Sequence, residues 1–434
     1  MGADDKETRK TRVTPLRVPL VADGGYSPSL VSEPGRVLAA DRWLARKFLA
    51  ALGNPRLAIV FWSGEEVRTC ADRPVARAVV RDRGALYRML TNPVLHFGDL
   101  YSVERIDIEG DLVQFLEATY RGFDNPGHLQ LIKKLQNNVL NRPRANNTLT
   151  DSRTNIQHHY DLGNEFYELW LDTEAMQYTC AYFPNPAMTI EQAQIAKLDH
   201  VCRKLQLKPG DRVVEAGCGW GGLARHMARH YGVTVRAYNI SQQQILYARE
   251  KAKQQGLADR IEYVEDDYRN IAGEYDAFVS IGMLEHVGPD HYRALADVIQ
   301  RALTPTSRGL IHTIGRNRPA RMNAWIEKRI FPGGHPPTLG EMMPIFETHN
   351  FSVLDVENLR LHYAKTLEHW LARFDRNVGK IEEMYDHNFV RAWRLYLAGS
   401  IAAFNTGSLQ LFQVVFARGT DNKLPWSREH LYKK

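Results

Sequence analysis

The chain has 434 residues, 44% hydrophobic and 24% charged, with a formal net charge of +6. That length is too great for one ordinary domain, and the composition is globular, which excludes a disordered or fibrous chain. Four scattered cysteines argue against a disulfide scaffold or a zinc site and fit a reduced, cytoplasmic setting. No run of 18 apolar residues is present to span a bilayer.

Residues 1–35, with Pro15, Pro19, Pro28 and Pro34, read as a mobile lead-in. The first six residues carry no apolar core after a basic stretch, so no signal peptide is expected. Residues 36–52 are helical in pattern, with Val37, Leu38, Trp43, Leu44, Phe48 and Leu49 on one face. Strands are expected at 57–62 and 76–80, a short helix at 86–90, alternating apolar stretches over 101–112, and a helix at 112–120. This is a small α+β unit, residues 1–140, without a catalytic signature. Residues 141–157, rich in Asn and Thr, read as a linker. Residues 1–157 hold 23 Lys and Arg against 18 Asp and Glu, so most of the basic excess lies here. Such an excess suits an anionic membrane surface, nucleic acid, or no partner at all.

The second domain, residues 158–434, opens with His158-His159-Tyr160-Asp161-Leu162-Gly163-Asn164 and a cluster of aromatic residues at 178–183. A helix is expected over 189–205, with Thr189 and Gln192 forming a capping box. The central stretch is Val213-Val214-Glu215-Ala216-Gly217-Cys218-Gly219-Trp220-Gly221-Gly222, a buried strand, a glycine turn and the start of a helix. The glycine spacing fits the dinucleotide fingerprint, but the acid expected about 20 residues on is replaced by Tyr238 and Asn239. The acid stands instead at Glu215, the end of the first strand. That resembles the E/D-x-G-x-G loop of class I S-adenosylmethionine methyltransferases, in which the acid faces the cofactor's cationic end. A dinucleotide and a cofactor-free relic are the alternatives.

Seven strands are expected, at 213–215, 233–237, 261–264, 277–281, 310–314, 353–356 and 409–416. The first five alternate with helices, which argues for a parallel sheet. The last reads as an antiparallel edge strand or hairpin partner. A Pro/Gly-rich insertion at 316–345 and two helical patterns, 365–384 and 387–404, are placed to build a lid over the sheet's carboxyl end. The expected fold class is α/β: a seven-stranded class I methyltransferase (Rossmann-like) domain with helical lid insertions, plus a smaller α+β N-terminal domain.

Several motifs occur together in order over residues 158–417. They include His159-Tyr160-Asp161-Leu162-Gly163-Asn164, Tyr178-Thr179-Cys180-Ala181-Tyr182-Phe183 and the glycine loop. Asp267-Tyr268-Arg269, Gly282-Met283-x-Glu285-His286-Val287-Gly288 and His312-Thr313-Ile314-Gly315 follow, then Phe331-Pro332-Gly333-Gly334 and Gln410-Leu411-x-Gln413-Val414-Val415-Phe416. The set resembles the cyclopropane-fatty-acyl-phospholipid synthases and the related mycolic acid cyclopropane synthases. Residues 1–140 resemble more loosely the smaller domain of the bacterial phospholipid-acting members.

The resemblance implies that S-adenosylmethionine gives a methylene carbon to a cis double bond in a membrane phospholipid, with a bicarbonate ion as base. It places the bicarbonate ligands at Cys180, Glu285, His312, Ile314 and Tyr363, with Cys180 and Ile314 acting through main-chain groups and Tyr363 ahead of the lid helices. For the cofactor it implies Tyr178 and Thr179 at the methionine end, Glu215, Gly217 and Gly219 beneath it, Gln244 at the ribose and Asp267 near the adenine. Other readings of these residues are a buried small Cys180, a capping Glu285, a core His312, a capping Gln244 and a turn-forming Asp267. Relatives with the same motifs make methyl- or methylene-branched products instead of rings. Expected partners are unsaturated membrane phospholipids and an anionic membrane surface on the cytoplasmic side, not nucleic acid; the oligomeric state is left open, a homodimer included. Two rival classes are a small-molecule methyltransferase and a nucleic-acid binder with a degenerate methyltransferase domain.

Overall fold

The computed structural model describes residues 35–123 and 162–432. Residues 1–34 of the lead-in, the 141–157 linker and the start of the second-domain motif, His158 to Asp161, lie outside the described residues.

Among the described residues, two sheets organise the fold. The first, ordered β2-β1-β3-β4, comprises β1 (Leu57–Val60), β2 (Glu66–Arg68), β3 (Ala76–Val80) and β4 (Ile106–Gly110). Helices α1 (Ala39–Ala51), α2 (Arg83–Arg88), α3 (Pro93–Ser102) and α4 (Leu112–Phe123) accompany it. Sequence periodicity missed α3, although its start signal is present. Asn92 accepts from the Leu95 N–H at 3.1 Å, and Pro93 occupies a position where no N–H is needed.

The second sheet has the order β10-β11-β9-β8-β5-β6-β7. Its strands are β5 (Arg212–Ala216), β6 (Thr234–Asn239), β7 (Ile261–Glu265), β8 (Tyr275–Ile281), β9 (Leu303–Gly315), β10 (Phe351–Asn358) and β11 (Gln410–Arg418). Strands β5 to β9 are mutually parallel, as their alternation with helices implies. β5 pairs with β6 on one side and β8 on the other, so the strand order reverses there and the following loop opens into a crevice. That loop is the glycine turn, leading into α7 (Gly222–Tyr231).

The edge place expected for the last strand is overturned. β11 is antiparallel but not an edge strand; it lies between β9 and β10, and a helical insertion separates it from β10 in sequence. Residues 410–417 are all buried, as suits a strand covered on both faces and flanked on both sides. The edge is β10, whose solvent-facing residues include the exposed Val353 and Val356.

After the short α5 (Asn164–Glu168), helix α6 (Ile190–Leu205) starts with the capping box read from the sequence, Thr189 accepting from the Gln192 N–H and Gln192 from the Thr189 N–H. The 316–345 insertion contains α10 (Ala324–Arg329) and α11 (Leu339–Glu347). The expected 365–384 helix is two, α12 (Arg360–Arg376) and α13 (Val378–Met384), joined at Asn377, and α14 (His387–Thr406) follows. Tyr363 therefore lies inside the first turn of α12 rather than ahead of it.

The two sheets share one apolar cluster, which runs from Val37 and Leu100 to Trp393 and Leu411. Helix α14 packs against α3 and α4, and α10 packs against α3. Gly98 makes the second approach possible, since a Cβ there would sit 2.5 Å from the Trp325 ring. Two buried arginines tie the units together. Arg329 is bidentate to Asp99 at 3.0 and 3.1 Å. Arg391 bonds the Tyr101 carbonyl at 2.7 Å and Asp107 at 3.0 Å, with its guanidinium 4.2 Å from the Tyr101 ring centre.

Candidate active site

A cavity of about 1300 Å³ opens beside the carboxyl end of the second sheet. Val94, Phe97 and Leu116 from the N-terminal unit, and Leu367, Leu395 and Phe404 from the helical insertion, give it apolar walls. Tyr178, Thr179, Glu285, His286, His312 and Tyr363 also line it, as do Arg316, Arg318 and Arg321. A largely apolar cavity that also holds polar groups suits a long hydrocarbon with one reacting position.

Of the residues expected to ligate bicarbonate, Glu285, His312, Ile314 and Tyr363 line this cavity. Cys180 is fully buried and is not among its lining residues; its thiol donates to the Ala181 carbonyl at 3.1 Å and burial pushes it well up. Glu285 follows β8 in a short 3-10 turn, Leu284–His286. Its Oε1 accepts the Ile314 N–H at 2.6 Å, so that main-chain donor is already engaged. Its Oε2 is buried with no hydrogen-bond partner. Burial pushes this carboxyl up to about 7 despite the Ile314 bond, so it exchanges a proton near neutral pH.

His312 lies in β9 beneath the cavity. Burial holds it well below the ordinary histidine range, and it is a neutral ring at physiological pH. Its Nε2 is buried with no hydrogen-bond partner. Two buried polar atoms, Glu285 Oε2 and His312 Nε2, are thus left unsatisfied by the protein at one cavity, where each would otherwise cost free energy. That donor set suits a small oxyanion, with Glu285 in its neutral form and His312 each offering one hydrogen.

The residues expected to hold the cofactor include the glycine turn. Gly217 and Gly219 adopt φ of +85° and +52°, and a Cβ on Gly219 would meet no protein atom within 4 Å. The backbone there faces open space, where a ligand can approach closely. Glu215 is buried beneath, its Oε2 without a hydrogen-bond partner, and burial pushes it up to about 8 against the pull of Lys197 and Arg225. An acid in that state gains most from a neighbouring cation.

The loop before α6 is held just as firmly. Asp172 accepts the N–H groups of Ala175, Met176 and Gln177 at 2.8, 3.1 and 2.7 Å. Lys197, fully buried on α6, donates to Gln177 Oε1 at 2.5 Å and Thr179 Oγ1 at 2.9 Å. Tyr178 shares a 2.8 Å hydrogen bond with the Tyr396 hydroxyl on α14, tying the site to the lid. Sequence reasoning missed Lys197 and Tyr396. Each reads as an ordinary helix residue, and only a lysine inside a buried stripe was a signal.

Gln244 does not complete a capping box. Ser241 caps α8 (Gln242–Gln254), while Gln244 Oε1 accepts from Asn239 Nδ2 at 2.7 Å and its Nε2 is buried with no hydrogen-bond partner. The side chain thus stays at the end of β6. Asp267 caps the short turn Tyr268–Asn270, accepting the Arg269 N–H at 2.9 Å. The turn role weighed from the sequence is therefore present at Asp267.

Known proteins resemble this chain over most of its length. The family described as Mycolic acid cyclopropane synthetase matches residues 147–414. The chain is similar to a probable fatty acid methyltransferase of Pseudomonas putida, 34% identical over 393 residues, covering 87% of this chain and 96% of that one. It is 42% identical over 271 residues to the cyclopropane-fatty-acyl-phospholipid synthase of Escherichia coli strain K12, covering 62% and 69% of the two chains. In three dimensions it is similar to mycolic acid cyclopropane synthase CmaA1 complexed with SAH and CTAB. That match has a TM-score of 0.58 and 30% identity, over 61% of this chain and 97% of that chain.

Proposed function

Because the chain belongs to the mycolic acid cyclopropane synthetase family of S-adenosylmethionine-dependent methyltransferases, we propose that it builds a cyclopropane ring on the cis double bond of a phospholipid acyl chain. The observation that carries this reading is that Glu285 Oε2 and His312 Nε2, both without a hydrogen-bond partner, belong to residues lining one largely apolar cavity.

When bound, S-adenosylmethionine supplies an electrophilic methyl group, and bicarbonate supplies a base beside it. The chain's own part is to align, to exclude water and to place hydrogen bonds. An alkene is a poor nucleophile, so alignment and desolvation in the apolar slot must provide much of the acceleration. Methyl addition leaves a carbocation, and closing a ring requires loss of a proton from the new methyl. Glu285 and His312 would hold the ion that makes this possible, and Tyr363 lines the same cavity. Tyr178, Thr179, Glu215, Gly217, Gly219 and Gln244 would hold the methyl donor.

The test is lipid analysis of cells with and without the protein. A gain of one methylene together with cyclopropane ring protons by NMR is the expected result. The similarity to a probable fatty acid methyltransferase favours a second reading, a methyl- or methylene-branched product, which the same spectra would reveal by branch signals without ring protons.

The N-terminal part is proposed to meet the membrane from the cytoplasmic side, supported by the basic excess over residues 1–157. Among the described residues no helix is long and apolar enough to cross a membrane. Surface attraction of about 1 kcal/mol per well-placed cation is screened by salt. Co-sedimentation with anionic vesicles should therefore weaken markedly from low to high salt, and salt-insensitive binding would point to apolar insertion.

A further inference from the structure

A row of side chains behind His312 carries an inference that rests on the anion-binding reading above. In the sheet register His312 on β9 stands opposite Gln413 on β11, and Gln413 stands opposite Glu357 on β10. Helix α6 adds His200 and Lys204 to this row, four residues apart and so on one face. Lys204 Nζ donates to Gln413 Oε1 at 2.7 Å and to Glu357 Oε2 at 2.6 Å. His200 Nε2 lies 2.7 Å from the same Glu357 oxygen, and Gln413 Nε2 lies 3.0 Å from His312 Nδ1.

The direction of each hydrogen bond is forced along this row. An ammonium group has no acceptor, so Lys204 must meet the carbonyl oxygen of the Gln413 amide. That turns the amide nitrogen toward His312, and an amide N–H can only donate. His312 Nδ1 must then accept, which in a neutral ring leaves the proton on Nε2. Glu357 anchors the row. Burial opposes its charge, but hydrogen bonds from His200 and Lys204 bring its carboxyl down to about 2, so it faces the ammonium ionised.

We propose that Lys204 and Gln413 are positioning residues that fix His312 in the Nε2–H tautomer, so that the ring presents a donor, not a lone pair, to an anion in the cavity. The roles divide accordingly. His312 holds the ion and does not itself take the proton from the new methyl group. Gln413 falls in a motif that the sequence singled out and the cofactor and ion ligands left unused.

The test reads the tautomer directly, by long-range proton–nitrogen NMR on full-length protein carrying 15N-labelled histidine, with His312 assigned by its loss in His312→Gln. Wild-type protein should show Nε2–H. In Gln413→Glu the carboxylate accepts from both Lys204 and Nδ1–H, so the proton moves to Nδ1 or the ring becomes charged. Turnover should then fall by about 10–100-fold with S-adenosylmethionine affinity unchanged. Lys204→Met frees the amide to flip and should give a mixture, whereas Lys204→Arg, still donor-only, should keep Nε2–H. An Nδ1–H wild type overturns the proposal, as does a folded Gln413→Glu or Lys204→Met protein that keeps Nε2–H and loses only thermal stability. The tautomer is measured without bicarbonate, so the two readings fail separately. Tautomers as expected, with turnover indifferent to added bicarbonate, would sink the anion reading and leave the assignment of His312 standing.

Discussion

Replacing His312 or Glu285 with alanine should lower turnover by something on the order of 10²–10⁴, the range for losing a positioned proton-transfer apparatus. S-adenosylmethionine binding should be nearly unchanged, because neither residue belongs to the proposed cofactor contacts. Glu285→Gln should retain more activity than Glu285→Ala. An amide can still accept from Ile314 N–H and donate where Oε2 stood, but it cannot ionise. Burial raises the Glu285 carboxyl to about 7, so below that pH it is a neutral donor and above it a second negative charge beside the ion. Wild-type turnover at limiting bicarbonate should therefore fall as pH rises through about 7, and that limb should vanish in Glu285→Gln. Added bicarbonate should partly rescue Glu285→Gln, whose defect would be ion affinity. Near-wild-type turnover in both alanine variants would show that this pair does not carry the deprotonation step.

Gly219→Val should weaken S-adenosylmethionine binding by ~100-fold or more, about 2.8 kcal/mol, while leaving the protein folded. The choice of glycine matters. A Cβ at Gly219 meets nothing in the protein, whereas at Gly221 it would lie 2.4 Å from the Tyr263 hydroxyl and at Gly222 2.1 Å from the Ala175 carbonyl. Only the first substitution puts its bulk into the space left for a ligand. Its φ of +52° costs an L-residue about 1–2 kcal/mol, so a modest drop in melting temperature is expected as well. Calorimetric titration with unchanged affinity would remove the turn from the cofactor site.

By itself the sequence determined the second sheet's seven strands, the parallel order of the first five, the glycine turn at the switch point, and the family. Those features are local. A strand announces itself by its apolar run, a turn by its glycines, and a helix start by Thr189 and Gln192. It also set the acid at Glu215 rather than at the end of β6, which separated one cofactor class from another. What it could not decide were relations between residues far apart in the chain. Gln413 lies about a hundred residues from His312 and more than two hundred from Lys204, yet strand pairing and the crossing of α6 bring all three into one hydrogen-bonded row. The interior place of β11, the engagement of the Ile314 N–H by Glu285, and the docking of Arg329 on Asp99 are of the same kind. Each depends on which strand or helix arrives alongside, and that is fixed by burying the whole apolar surface at once, not by any stretch of sequence read alone.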